Sequence, residues 1–275
     1  MGTMLKDNVI PPRLRGVFKH FYRNYYGADG KIWLAEFKKF LRKEQCWVPV
    51  EKEFITVNDW QTSLTQARKI MGRDKVVFAR DYNRVWHSDF QGWPINYSKQ
   101  DLREANAENL EGRDWRLVFC GGQSMDGLRK KLLGAEATQP CFFNQNWYLD
   151  NKEDYWFGFS PPPGYYLIDF KERMIGFNHE RQEASFSLEV DILERTDPRI
   201  FTEAVFTIFK LTNQRIAEFW RHWSGLKAAC GDFINVGLFD ISGWRIYSTG
   251  AKEYSSSLCL SICRKPRTGP VVEKE

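Results

Sequence analysis

Histidine is scarce in this 275-residue chain. There are four, His20, His87, His179 and His222, and no two have the spacing of a zinc site. The six cysteines, at 46, 120, 141, 230, 259 and 263, form no Cys-x-x-Cys pair. In a chain long enough to fold without staples, they read as reduced, mostly buried thiols. Neither a Walker loop nor the dinucleotide-binding glycine fingerprint is present. No run of eighteen apolar residues occurs, so no membrane span is expected. The opening Met1-Gly-Thr-Met-Leu-Lys-Asp7 lacks the apolar core of a secretory signal. Together with the thiols, this gives the expectation of a cytoplasmic protein. Internal repeats, low-complexity tracts and heptads are missing too.

Apolar and aromatic mass is abundant. Hydrophobic residues make up 43% and aromatics 16%, including eleven Trp and twenty-one Phe, which argues against disorder and for a sizeable core. The net charge of +5 is unevenly spread. Residues 1–50 hold ten Lys/Arg against four Asp/Glu, and the rest of the chain is nearly neutral. A basic segment of this kind favours acidic partners or is simply a solvated helical face.

Periodicity sets the organisation. After Pro11-Pro12, the positions Leu14, Val17, Phe18, Phe21, Tyr22 and Tyr25 predict one helix, and Ile32, Trp33, Phe37, Phe40 and Leu41 a second. Asp59 is placed to cap a third, running to about Gly72, with a strand over 75–79. Residues 1–80 therefore read as a basic helical module. Residues 81–112 are the least regular part and read as a connection. In residues 113–265 we expect strands at 115–120 and 165–170, separated by a short helix that Ser124 caps. Asp197-Pro198 then opens the best helix of the chain, with Ile200, Phe201, Ala204, Val205, Ile208 and Phe209 on one face. A further helix carries Ile216, Phe219, Trp220 and Trp223, and only strands follow. Residues 266–275 form a tail. The order predicts an α+β fold, a helical module followed by a mixed α/β domain with an antiparallel sheet.

Candidate chemistry is thin. Gly27-Ala-Asp29-Gly-Lys-Ile-Trp-Leu-Ala-Glu36 resembles half an EF-hand, with Asp29 and Glu36 as its only two carboxylates. Calcium takes about six to eight oxygens, so no metal is expected, and Asp29 and Glu36 are the sole candidates if one binds. His179-Glu180 is an acid–base pair without a neighbouring nucleophile, and marks the weakest reading, a hydrolase. The turn from Gly121 to Gly127 sits between a strand and a helix, where backbone amides can hold an anion. Residues 13–43 interleave Arg13, Arg15, Lys19, Arg23, Lys38, Lys39, Arg42 and Lys43 with Phe18, Tyr22, Tyr25 and Tyr26. That pattern allows a nucleic-acid partner. No cofactor and no catalytic residue are expected.

The tail of the sequence is more informative. In 233–264 three short strands carry Trp244, Arg245, Tyr247, Ser248, Thr249, Tyr254, Ser255 and Ser256. Alternation places Trp244, Ile246 and Ser248 on one face and Arg245, Tyr247 and Thr249 on the other. Tyr and Arg give contact area at modest entropic cost, and serine gives adaptable hydrogen bonds. Val236-Gly237, Phe239-Asp240, Gly243-Trp244 with Ile246, and the closing Leu258, Leu260, Ile262 and Arg264-Lys265 resemble the end of C-type-lectin-like variable proteins diversified by retroelements. Trp115-Arg-Leu, Gln139-Pro-Cys-Phe-Phe and Gly164-Tyr-Tyr-Leu are similar to segments of uncharacterised bacterial proteins with this kind of tail. The resemblance implies a lectin-like fold over residues 113–265 and a non-catalytic function. A rigid sheet would display those eight residues to a protein or other macromolecular ligand.

Overall fold

Asp197 and Pro198 begin the central helix of the protein. The Asp197 carboxylate accepts a hydrogen bond from the Arg199 amide at 2.8 Å, and Asn213 closes the other end in the left-handed region at φ 59°. Every residue from Pro198 to Phe209 is buried, so this helix is enclosed rather than laid on a surface. Its polar members are satisfied internally. Thr202 donates to the Pro198 carbonyl at 2.7 Å and Thr207 to that of Glu203 at 2.6 Å, while the Trp86 indole donates to Thr207 at 2.9 Å. Replacing Asp197 with alanine removes a cap and a partner of Arg199, and should cost about 1 kcal/mol in urea unfolding.

The computed structural model describes residues 34, 37–39, 41–42, 63–132, 139–186 and 192–265. The chain divides into two compact units, Met1–Ile55 and Thr56–Glu275. In the first unit, Leu34, Phe37, Lys38, Lys39 and Leu41 are helical. The second unit contains helices α1 (Ser63–Met71), α2 (Ala79–Trp86), α3 (Lys99–Leu110), α4 (Met125–Leu132), α5 (Asp154–Phe157), α6 (His179–Phe186) and α7 (Pro198–Thr212). Its strands are β1 (Val76–Val77), β2 (Trp115–Cys120), β3 (Gly164–Arg173), β4 (Leu193–Arg195), β5 (Arg221–Lys227), β6 (Phe233–Asp240), β7 (Gly243–Thr249) and β8 (Leu258–Arg264).

All eight strands join one sheet in the order β1-β2-β3-β8-β5-β6-β7, with β4 also paired to β8. Two pairings are parallel, β1 with β2 and β5 with β8, and the rest are antiparallel. The fold is thus α+β with a mixed, mostly antiparallel sheet. β2 and β8 are buried at every position, the pattern of strands covered on both faces.

Three expectations need correction. Helices α1 and α2 and strand β1 belong with the sheet, so the boundary lies at 55/56 and not at 80. Residues 81–112 are no loose connection: α2 and α3 occupy most of them, and the intervening Tyr97 hydroxyl, fully inside, donates to the Arg264 carbonyl at 2.9 Å and accepts from the Leu167 amide at 3.1 Å. Ser98 and Asp101 cap α3 reciprocally, Ser98 accepting from the Asp101 amide at 3.1 Å and Asp101 from the Ser98 amide at 2.9 Å. The segment around Ile216 to Trp223 is not helical. Ala217 takes a positive φ of 61°, and from Arg221 the chain is strand β5.

Candidate functional site

Register builds the outer face of the terminal sheet. Arg245 on β7 pairs with Gly237 on β6, Gly237 with Arg221 on β5, and Arg221 with Leu258 on β8. One step along, Tyr247, Asn235, Trp223 and Leu260 form the next row. Residues in a row share a face, so both arginines and Tyr247 lie on the side away from α7. Gly237 is a physical requirement between them: at φ 147°, a Cβ would collide with the Trp220 carbonyl.

Each arginine sits over a ring. The Arg221 guanidinium lies 4.9 Å from the centre of Tyr247, and that of Arg245 lies 4.3 Å from Phe143. Arg221 donates from Nη2 to Ser255 at 2.8 Å and from Nε to Ser257 at 3.2 Å, and the two serine hydroxyls are 2.9 Å apart. Partial burial lowers the pKa of Arg221, against the raising influence of Tyr247 and Glu253. No carboxylate forms a salt bridge with it among the described residues. Arg245 donates from Nη2 to Asp240 and to Ser242, both at 3.0 Å, and its buried Nε has no hydrogen-bond partner. Burial alone would raise the Asp240 carboxyl, but hydrogen bonds from Ser242 and the charge of Arg245 hold it below the usual range. Phe143 reaches this place because residues 141–143 run along the free edge of β7. The Phe143 amide donates to the Trp244 carbonyl, and the Trp244 amide to that of Cys141, both at 2.8 Å.

Of the eight residues expected from the sequence, Arg245 and Tyr247 are on this face, partly exposed. Tyr254, 66% exposed, stands on the turn from β7 to β8 with exposed Ser256, and Ser255 joins the site through Arg221. Ser248 is half-buried and alternates to the other side. Two residues are corrections. Trp244 is fully buried, its ring packed among Phe201, Phe206 and Phe239, and takes no part in a surface. Thr249 is also buried, where its hydroxyl accepts from Asn235 at 2.8 Å. Arg221 and Phe143 were missed. Arg221 lies in a stretch whose apolar spacing imitates a helix, and because His222, Trp223 and Ser224 are all buried, no alternation of period two marks the strand.

The other candidates resolve differently. His179 is buried and stacked on Phe233 at 3.6 Å, with Trp223 edge-on at 5.5 Å, while Glu180 is exposed. The pair does not converge as an acid–base site would. The Gly121 turn does meet an anion, but an internal one. The buried Glu203 carboxylate accepts from the amides of Gly121 at 2.8 Å and Gln123 at 3.1 Å, and from the Tyr82 hydroxyl at 2.5 Å. Ser124 caps α4 as expected, accepting from the Gly127 amide at 3.0 Å. Cys259 and Cys263 are buried free thiols, pushed up by burial, and Cys259 Sγ lies 3.4 Å from His222 Nδ1. Among the described residues no three His, Cys, Asp or Glu side chains gather as a metal site, and no helix is long and apolar enough to cross a membrane. Asp29, Glu36 and most of residues 13–43 lie outside the described residues. No protein-family model matches the chain, and no curated protein or solved structure shows significant similarity to it.

Proposed function

We propose that this chain is a non-catalytic binding protein that takes a protein or other macromolecular ligand on the outer face of its terminal sheet. The observation that carries the proposal is the pair of arginines laid on aromatic rings on a partly exposed stretch of β-structure, Arg221 on Tyr247 and Arg245 on Phe143. Arginine and tyrosine dominate the energetically important centres of interfaces, and serines at their rim supply adaptable hydrogen bonds. The hydrogen bonds of the Arg221 guanidinium go to serine hydroxyls and none to a carboxylate among the described residues, so an acidic group of the ligand can still pair with it. The lectin-like assignment belongs to the same proposal, with Arg245, Tyr247, Tyr254, Ser255 and Ser256 as the positions that a variable-protein family would leave free to change. A cytoplasmic setting fits the free thiols of Cys120, Cys141, Cys230, Cys259 and Cys263.

A random peptide display library panned on the immobilised chain tests this. The enriched ligands should lose at least about tenfold in affinity on Arg221→Ala combined with Tyr247→Ala, and separately on Tyr254→Ala, whose exposed ring the fold does not need. Ligands that bind all three proteins equally would place capture elsewhere and end the reading.

A further inference from the structure

Two neighbouring cavities share a wall near the β1 end of the sheet, opposite to β7 in the strand order. The larger, about 660 Å³, is lined by Phe78, Phe90, Trp93 and Tyr165 together with Arg68 and Arg80. The smaller, about 410 Å³, rests on the same two arginines and adds Arg73 and Arg84. Both volumes fall in the ~300–1,000 Å³ range of small-molecule sites.

Local structure explains why four arginines converge. Arg80 and Arg84 are one turn apart on α2 and share a face, Arg68 comes from α1, and Arg73 from the tight turn between α1 and β1. One carboxylate lining that pocket meets them: Asp81 accepts from Arg68 at 3.2 Å and lies 3.8 Å from Arg84. Among the described residues Arg73 and Arg80 have no carboxylate partner, and the buried Nε of Arg68 has no hydrogen-bond partner. Arg73, Arg80 and Arg84 are exposed and line one pocket with Arg68, and their planar forks suit phosphate oxygens.

The other half is aromatic. Phe90 and Trp93 are partly exposed and meet edge to face at 6.2 Å. Asn83 fixes their loop, donating to the Phe90 carbonyl at 2.9 Å and accepting from the Phe90 amide at 3.0 Å. Gly92 stands beside them at φ 69°, and a Cβ there would meet nothing within 4 Å, so that wall is open. Phe78 joins the halves, with Arg68 at 4.2 Å and Arg80 at 5.6 Å from its ring centre. A flat ring system with a phosphate one bond network away matches this division.

We propose that the joined cleft binds a phosphorylated nucleoside, with its base against Trp93 and Phe90 and its phosphates among Arg68, Arg73, Arg80 and Arg84. The same chemistry is offered by a free nucleotide and by the 5′-phosphorylated end of a single strand. The site is separate from the terminal sheet face and does not depend on that reading.

Calorimetric titration of the full chain with the common ribonucleoside diphosphates tests the proposal. At least one should bind at least about tenfold more tightly than its unphosphorylated nucleoside and than pyrophosphate alone. Arg80→Ala combined with Arg84→Ala, both exposed positions, should weaken that binding at least about tenfold, whereas Arg221→Ala should leave it unchanged. Trp93→Ala should weaken it similarly, and Trp93→Phe should restore most of the affinity in a protein of matching melting temperature. A 5′-phosphorylated single strand of mixed sequence that outcompetes both the diphosphates and its 5′-hydroxyl counterpart would assign the strand end as the source, and the opposite order would assign the free nucleotide. Three results would overturn the proposal: no binding of any of these probes at millimolar concentration, pyrophosphate bound as tightly as the diphosphates, or affinities indifferent to the arginine pair.

Discussion

Glu203→Ala will destabilise the protein by about 4 kcal/mol or more, among the largest losses a single substitution produces. The side chain is fully buried in the middle of α7. Its carboxylate accepts hydrogen bonds from the Tyr82 hydroxyl and from the Gly121 and Gln123 amides, and so ties α2 and the β2–α4 turn to the central helix. Alanine leaves the buried Tyr82 hydroxyl and two half-buried amides without this acceptor, at up to roughly 1–3 kcal/mol each, and adds a cavity. Since stabilities are about 5–15 kcal/mol, the variant should be largely unfolded in modest urea. An unfolding free energy in urea within about 1 kcal/mol of the parent's would show that the turn finds other acceptors and that Glu203 is not the link. The proton on this group gives a second reading. Burial raises the Glu203 pKa, and hydrogen bonds from Tyr82, Gln123 and Gly121 only partly oppose it. Its contribution is therefore complete below the ordinary value of 4.5 and is lost as pH rises through the folded-state value. Glu203→Gln should abolish that slope.

How far the sequence discloses this architecture depends on whether a local signal survives burial. The Asp197-Pro198 start of α7 and the alternation within β7 are local, and both are legible. The Gly121 turn is legible as a helix start that Ser124 caps, whose amides can hold an anion, but Glu203 lies some eighty residues away in the chain and gives no sign of meeting them. β5 was misread because His222, Trp223 and Ser224 are all buried: with both faces covered, the period of two vanishes and the apolar spacing of Ile216, Phe219, Trp220 and Trp223 mimics a turn of helix. α3 hid for the opposite reason. Its buried side chains are Asp101, Leu102 and Ala105, too small an apolar stripe to show.

The candidate site follows the same logic. Alternation already separates Trp244 from Arg245 and Tyr247, and the structure enforces it: large apolar rings on the α7 side of β7 are consumed by packing against Phe201 and Phe206. Thr249 obeys the alternation but lies where the sheet is covered, beside Phe233 under the His179 ring. The partnership of Arg221 with Tyr247 comes from the pairing of β5 with β6 and of β6 with β7, a long-range register that no local pattern encodes.

Acid will destabilise the protein through two histidines that the fold keeps neutral. His222 is buried against Phe201, with ring centres 4.5 Å apart, and its Nε2 has no hydrogen-bond partner. Burial pulls its pKa down to about 3. His179, buried against Phe233, is pulled down to about 4, by burial first and the charge of Arg195 second. In the unfolded chain both protonate near 6.5. The unfolded state therefore binds the extra protons, and stability held above pH 6.5 is lost as pH falls toward 4 and then 3. At about 1.4 kcal/mol per pH unit and per group, the loss is on the order of several kcal/mol, enough to unfold a protein of ordinary stability. Urea midpoints followed from neutral pH down to pH 4 should fall steeply for the parent and less steeply for His222→Asn combined with His179→Gln, once each is referred to its own value at neutral pH. Glu203 acts in the opposite direction over the upper part of this range, so Glu203→Gln should unmask more of the histidine slope than the parent shows. Parallel curves for the parent and the double histidine variant would mean that both imidazoles accept protons inside the fold at no cost, against the burial and ring contacts that surround them.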